Sequence, residues 1–158
     1  IKQVEDNFKR RFHVFAEKSE KAYQEYRRTG SFRSLTGFRM SGVYAKNKVL
    51  NMGIQGSAFH CDLWSIIELR KWIRENEMQT KLINEIHDSI ISDVPEDELQ
   101  DYINAAKRIM TRKTRKAWKW IAVPLEIEVL VAPLNKSWHK KEVWVEHNGV
   151  WMPKRKVA

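Results

Sequence analysis

Lys81–Val94, KLINEIHDSIISDV, joins two apolar flanks through a polar centre. Leu82, Ile83 and Ile86 precede the trio His87, Asp88 and Ser89, and Ile90, Ile91 and Val94 follow it. Two short runs rich in β-branched residues, joined at a polar pivot, predict a β-hairpin. His-Asp is a poor pair if the pivot only turns the chain. Asn-Gly or Asp-Gly suits a two-residue hairpin better, because both central residues then adopt positive φ. A carboxylate at the tip of a buried hairpin costs free energy unless a cation compensates it. A metal ion is the simplest compensator. The plainer reading is an ordinary hairpin with a solvated turn, and this stretch alone does not separate the two.

Upstream, residues 2–29 predict one long helix. Val4, Phe8, Phe12, Phe15, Ala22, Tyr23 and Tyr26 recur mainly at steps of three and four. Gly30 is placed to stop it. The aromatic stripe reads as core, or as an interface with sequence further upstream. Residues 31–43, SFRSLTGFRMSGV, predict a short hairpin turning at Thr36-Gly37. Its two arginines, Arg33 and Arg39, read as solvated unless context makes them phosphate contacts.

Residues 44–52 predict a short helix, followed by a break near Gly53 and a long helix from Gln55 to Glu77. Phe59, Cys61, Leu63, Trp64, Ile66, Ile67, Leu69 and Trp72 leave little of its first half polar. A helix apolar nearly all round is a buried one. His60, Cys61 and Asp62 are adjacent, and helical neighbours point about 100° apart, so the three cannot ligate one metal together. They read as structural.

Downstream, Pro95-Glu96-Asp97-Glu98 opens a helix, with proline in the first turn and acids on the positive end of the dipole. Leu99, Tyr102, Ile103, Ala106, Ile109 and Met110 form its apolar stripe, and Arg112, Lys113, Arg115 and Lys116 crowd its far end. Residues 124–131 predict a strand by alternation of Leu125, Ile127, Val129 and Val131 with Glu126 and Glu128. Asn148-Gly149, between two apolar runs over residues 142–152, predicts a third hairpin with Trp144 and Trp151 on one face. The basic tail Lys154-Arg155-Lys156 is expected to be mobile. There is no internal repeat, low-complexity tract or interdomain linker.

The 158 residues suit one domain or a large piece of one. Lys and Arg number 29 against 20 Asp and Glu, a net charge of +9, which favours a polyanionic partner. A merely soluble basic protein is the bland alternative. The single Cys61 rules out an internal disulfide and fits a reducing compartment. No apolar run is long enough to span a membrane, and no signal peptide is evident. A chain that opens on Ile1 in helical sequence is expected to be a fragment or a processed product.

Four separated stretches, in order, resemble the A-family DNA polymerases. Gly30-Ser31-Phe32 through Leu35, Gly37 and Arg39 is similar to the segment that follows the nucleotide-binding fingers helices. Asn51-Met52-Gly53-Ile54-Gln55-Gly56-Ser57-Ala58 resembles the Asn-x-Pro-x-Gln-Gly-Thr-Ala segment opening a long palm helix. Ile86-His87-Asp88 followed by Val94-Pro95 resembles motif C. Val123-Pro124-Leu125-Glu126-Ile127-Glu128-Val129 with Trp138 resembles the C-terminal strand. The resemblance covers residues 1–138. Gly53 stands where the family has proline, and Ser89 where it has glutamate. His-Asp-Ser also occurs in single-subunit phage RNA polymerases, the runner-up, but the Asn51–Gln55-Gly56 segment and the Pro124–Val129 strand favour the DNA enzymes.

The resemblance implies an α+β fold, an antiparallel palm-type sheet with a catalytic β-hairpin packed on long helices. Residues 1–43 would be the C-terminal part of the fingers, 44–138 the palm, and 139–158 an extension of β-hairpin and basic tail. The implied reaction is template-directed addition of deoxynucleotides to a primer 3′ end, using two Mg2+ ions. Asp88 and His87 would be catalytic, Asp88 as the metal ligand and His87 by binding the DNA and positioning the primer terminus. Ser89 would have at most a minor role. Asn51 and Gln55 would read the minor groove, and Arg33 and Arg39 would contact the DNA backbone. The implied partners are primer-template DNA, deoxynucleoside triphosphates and an upstream polymerase segment. That segment would carry the other catalytic aspartate of motif A and the fingers helix, so this chain alone is expected to be inactive. The implied location is the cytoplasm, that of the host if the gene is a phage's. A basic nucleic-acid-binding module without catalysis remains the non-enzyme alternative.

Overall fold

The structure, a computed structural model, describes residues 2–154, so Arg155 and Lys156 of the basic tail lie outside the described residues. Two compact units divide the chain, one up to Cys61 and one from Asp62 onward.

The first unit opens with helices α1 (Lys2–Arg11) and α2 (His13–Thr29). The single helix expected over residues 2–29 is thus interrupted, at Phe12, whose φ of −114° and ψ of 50° leave the helical region. Nor is the aromatic stripe core. Phe8, Phe12 and Phe15 stay exposed and touch mainly one another, with ring centroids 4.8 Å apart for Phe8–Phe12 and 6.2 Å for Phe8–Phe15. Packing begins at the other end of α2. Tyr26 is buried, its hydroxyl donates to the Gly42 carbonyl at 2.5 Å, and it accepts from the Tyr44 backbone N–H at 2.8 Å. Gly30 ends the helix as expected, at φ 64°, with its N–H on the Tyr26 carbonyl.

Strands β1 (Ser31–Arg33) and β2 (Arg39–Ser41) pair antiparallel, Arg33 directly opposite Arg39. Helix α3 then runs unbroken from Lys46 to Glu75. The break expected near Gly53 does not occur. An interior glycine costs a helix only about 1 kcal/mol relative to alanine, which neighbouring turns absorb. Gly53 is instead a point of close approach, where an added Cβ would stand 3.1 Å from the Phe32 ring. The Leu35 N–H donates to Ser57 Oγ at 3.0 Å, and the Ser57 hydroxyl donates to the Gly53 carbonyl at 2.6 Å, fastening the hairpin to this stretch of helix. The expectation of a helix buried all round also fails. Cys61, Ser65, Leu69 and Ile73 form its buried stripe, while Phe59, Leu63 and Ile67, at 57% exposure for the last, face outward.

In the second unit, β3 (Lys81–Ile86) and β4 (Ser89–Asp93) form the expected hairpin, with a bulge at Ile83. Leu82, Ile90 and Val94 pack on a core of Leu69, Ile73, Tyr102, Ala106 and Ile109. After Pro95, the 3₁₀ turn Glu96–Glu98 leads into α4 (Leu99–Lys107), π-helical turns over Arg108–Lys113, and α5 (Thr114–Ala117). Glu98 does more than complement a dipole. Its carboxylate accepts from the backbone N–H groups of Gln79 and Thr80 at 2.7 and 2.9 Å and from the Thr80 hydroxyl at 2.6 Å, fixing the entry to β3.

A three-stranded antiparallel sheet closes the chain, ordered β5 (Val129–Val131), β6 (Glu142–His147), β7 (Val150–Pro153). The strand expected over 124–131 is paired only over Val129–Val131. Leu125 and Ile127 keep the expected alternate burial, but alternation reports a covered face, not a hydrogen-bond partner, and residues 124–128 have none among the described strands. The Asn148-Gly149 hairpin forms, with φ of 50° and 83° at the two residues. Trp151 lies opposite Glu146, hence on the face of Trp144. Trp151 is buried against α4. Gln100 exchanges two 2.8 Å hydrogen bonds with its backbone, and its indole N–H donates to Asn104 Oδ1 at 2.9 Å.

Candidate functional site

The pivot of the β3–β4 hairpin is the two-residue loop His87–Asp88, closed by the Ile86–Ser89 pair. His87 has φ 61°, and Asp88 is not among the positive-φ residues. That suits a hairpin turn of the II′ hand, positive at its first central residue alone, where glycine is preferred. A non-glycine side chain there carries strain of about 1–2 kcal/mol. His87, Asp88 and Ser89 are all exposed, with Ile86 beside them at 47%. The expectation of a carboxylate at a buried tip is therefore corrected: the body of the hairpin packs on the core, and its tip stands in solvent.

Asp62, in the part of α3 that belongs to this unit, is a residue that the sequence reading took as merely structural. Half-buried, its carboxyl is pushed up to about 6 by burial first, then by the negative charges of Asp88 and Glu85. Three carboxylates thus share one neighbourhood, and no cation is among the causes acting on Asp62. Its neighbour His60 behaves as expected of a structural residue, with Nδ1 2.8 Å from the Thr36 hydroxyl. The period of α3 held a signal for Asp62, since it precedes the buried Leu69 by seven residues. Which charges act on it is a tertiary fact. Among the described residues no group of three His, Cys, Asp or Glu side chains is arranged to hold a metal.

The other candidates lie in the first unit. Asn51 and Gln55 are exposed, one turn apart on α3, and neither amide makes a hydrogen bond among the described residues. Residues at this spacing share a helix face. Arg33 and Arg39 are exposed and directly opposed across β1–β2, an arrangement in which like charges repel. Arg33 Nη1 donates to the Gly37 carbonyl at 2.7 Å, which holds its guanidinium over the turn. The β1–β2 loop and α3 are tied together through Ser57, so these four residues sit on one fastened scaffold.

Comparison with known proteins gives one family. Residues 2–140 match the description "DNA polymerase family A". A DNA polymerase of Bacillus phage SP01 is 35% identical over 66 residues, 42% of this chain and 7% of that protein. DNA polymerase I of Lactococcus lactis subsp. cremoris is 32% identical over 97 residues, 61% of this chain and 10% of that one. The thermostable DNA polymerase I of Thermus aquaticus is 28% identical over 121 residues, 70% of this chain and 14% of that one. The chain therefore spans only about a tenth of the length of these relatives. Among solved structures, the POL domain of Pol1 from M. smegmatis, in complex with DNA primer-template and dNTP, superposes with a TM-score of 0.62 at 18% identity, over 70% of this chain and 22% of that one. That likeness shows a shared fold of helices and antiparallel sheet. With the matched region covering nearly the whole chain, the protein belongs to DNA polymerase family A.

Proposed function

We propose that this chain is the C-terminal part of a template-directed DNA polymerase, adding deoxynucleotides to a primer 3′ end in concert with an upstream segment. The observation that carries the reading is the hairpin tip: a strained, exposed His87–Asp88 pair in a neighbourhood of carboxylates. Residues 1–43 would be the last part of the fingers, 44–138 the palm, and 139–158 an extension beyond the family pattern.

The donor chemistry fits a hard divalent cation, since carboxylate oxygens are the ligands magnesium prefers. It fits as a share of a site, because the described residues hold no complete ligand set. Asp88 would be the ligand contributed by this chain. Two magnesium ions, when bound, supply activation of the attacking oxygen and stabilisation of the leaving one. His87, fixed by its turn, positions the primer terminus. Ser89 offers a neutral hydroxyl, a weaker partner than the glutamate usual at that place. The free amides of Asn51 and Gln55 suit minor-groove acceptors that all base pairs share, which tests pairing without reading sequence. Arg33 and Arg39 relieve their mutual repulsion by holding phosphates.

Asp88→Asn tests this in the assembled polymerase. It should abolish nearly all nucleotide addition while primer-template binding survives or tightens, because the carboxylate repels phosphates when no metal neutralises it. Ser89→Ala should cost far less. Near-normal turnover by Asp88→Asn would overturn the assignment.

A further inference from the structure

We infer that the exposed cationic face of the helix end at residues 112–119 is a second nucleic-acid contact, one that holds the backbone of single-stranded DNA. Between residues 102 and 125 the sequence has seven Lys or Arg and no Asp or Glu. Two of the seven are neutralised within the fold: Lys113 by Glu68 at 3.1 Å, and Lys107 by Glu146. Arg112, Arg115, Lys116 and Lys119 are exposed, and none makes an ion pair among the described residues.

The fold builds this face deliberately. Tyr102, Ala106 and Ile109 are buried at steps of four and three. An uninterrupted α-helix would bring Lys113 inward next. The π-helical turns over Arg108–Lys113 insert one residue, and Thr114 is buried instead, its hydroxyl donating to the Ile109 carbonyl at 2.9 Å and lying 3.1 Å from Ser65 Oγ. Lys113 moves to the flank beside Glu68. Arg112, Arg115 and Lys116, at i, i+3 and i+4, are then presented together on the solvent side. Such a row repels itself unless a polyanion lies along it. Below it, Trp118 packs edge-on against Trp64, with ring centroids 5.4 Å apart.

Trp120, 42% exposed in the turn beyond α5, selects the form of the polyanion. An exposed indole only a few residues beyond Arg115 and Lys116 in the chain offers a stacking surface to an unpaired base, the combination by which single strands are bound without sequence preference. A duplex hides its base faces and gains nothing from it. This contact is separate from the pivot and the minor-groove amides, and it does not depend on the catalytic reading.

The test is fluorescence anisotropy of the 158-residue chain with labelled oligo-dT and with a duplex, across a salt series. The triple variant Arg112→Gln/Arg115→Gln/Lys116→Gln should lower the slope of log affinity against log salt by about 2 for oligo-dT, at about 0.7 per lost phosphate contact. A control with equal charge loss, Lys18→Gln/Lys21→Gln/Arg27→Gln, should change it much less. Trp120→Ala should weaken oligo-dT binding about fivefold or more and leave duplex binding unchanged. Melting curves establish that each variant is folded. Equal slopes for both triples would reduce the face to bulk charge, and an unchanged slope would remove it as a contact; either result overturns the proposal. The oligo-dT measurement needs neither nucleotide addition nor a metal ion, which keeps its outcome distinct from that of the polymerase assay.

Discussion

Asp62→Asn isolates the electrostatics of the hairpin neighbourhood. In the folded chain the Asp62 carboxyl is displaced from 3.8 to about 6, by burial first, then by Asp88 and Glu85. Between those two values the folded state keeps a proton that the unfolded chain has released. Stability from this group is therefore fully present below about pH 4, falls as pH rises towards 6, and stays lower above it. A displacement of that size sets a ceiling of about 3 kcal/mol. Asp62 is only half-buried, and solvent screening brings the working figure to about 1 kcal/mol. Asparagine carries no charge at either end of the range. The variant should match the parent near pH 4 and exceed it by about 1 kcal/mol above pH 7. Urea denaturation followed by circular dichroism, repeated across that range, reads the difference directly. A difference that does not change with pH would mean that asparagine acts through packing alone, and a parent that gains on the variant as pH rises would refute the argument.

Gly56→Ala and Gly53→Ala make a matched pair within α3. At Gly56 the added Cβ meets only the end of the Met40 side chain, at 3.4 Å, so the helix-propensity gain of about 1 kcal/mol should appear as a rise in Tm. At Gly53 the Phe32 ring stands at 3.1 Å, and the same change should give no rise or a fall. Trp151→Ala should destabilise the second unit by about 3–5 kcal/mol in urea titrations, whereas Trp151→Phe, losing chiefly the hydrogen bond to Asn104, should cost about 1 kcal/mol. In the assembled polymerase, Gln55→Ala should raise extension from a mispaired primer end with Tm unchanged; a lower Tm with normal discrimination would make Gln55 a scaffold residue.

Local chemistry was legible wherever a feature closes within a few residues. The Gly30 stop, the Pro95 helix start and all three hairpins follow from side-chain types at fixed offsets, and the structure contains them. Features that need a distant partner were not. Residues 124–128 have strand alternation but no ladder. Phe59, Leu63 and Ile67 have core character but remain largely exposed among the described residues. Gly53 looked like a helix breaker because its reason, the Phe32 ring twenty-one residues away, is a tertiary contact. The π-helical turns left only a faint trace, a buried threonine five residues after Ile109 where the α period calls for an apolar residue at four. Asp62 was hidden for the same reason as Gly53: its meaning comes from the charges of Glu85 and Asp88, which act on it only after folding.

The two hairpins of the second unit give an internal comparison that bears on the pivot. Both turn through two residues. At Asn148-Gly149 the chain uses the pair that tolerates positive φ with least strain, and the turn serves the docking of Trp151. At His87–Asp88 the same chain accepts a histidine at φ 61°, an exposed isoleucine alongside, and a carboxylate that raises the pKa of another. The left-handed histidine and the charge repulsion are each unfavourable by an amount on the order of 1 kcal/mol. Substituting a glycine pair would relieve the backbone strain and the charge together without altering strand register. A sequence that solves the turning problem cheaply in one hairpin has no conformational reason to solve it expensively in the other. On the function proposed above, the difference is supplied by the cation and primer end that His87 and Asp88 would meet in the assembled enzyme.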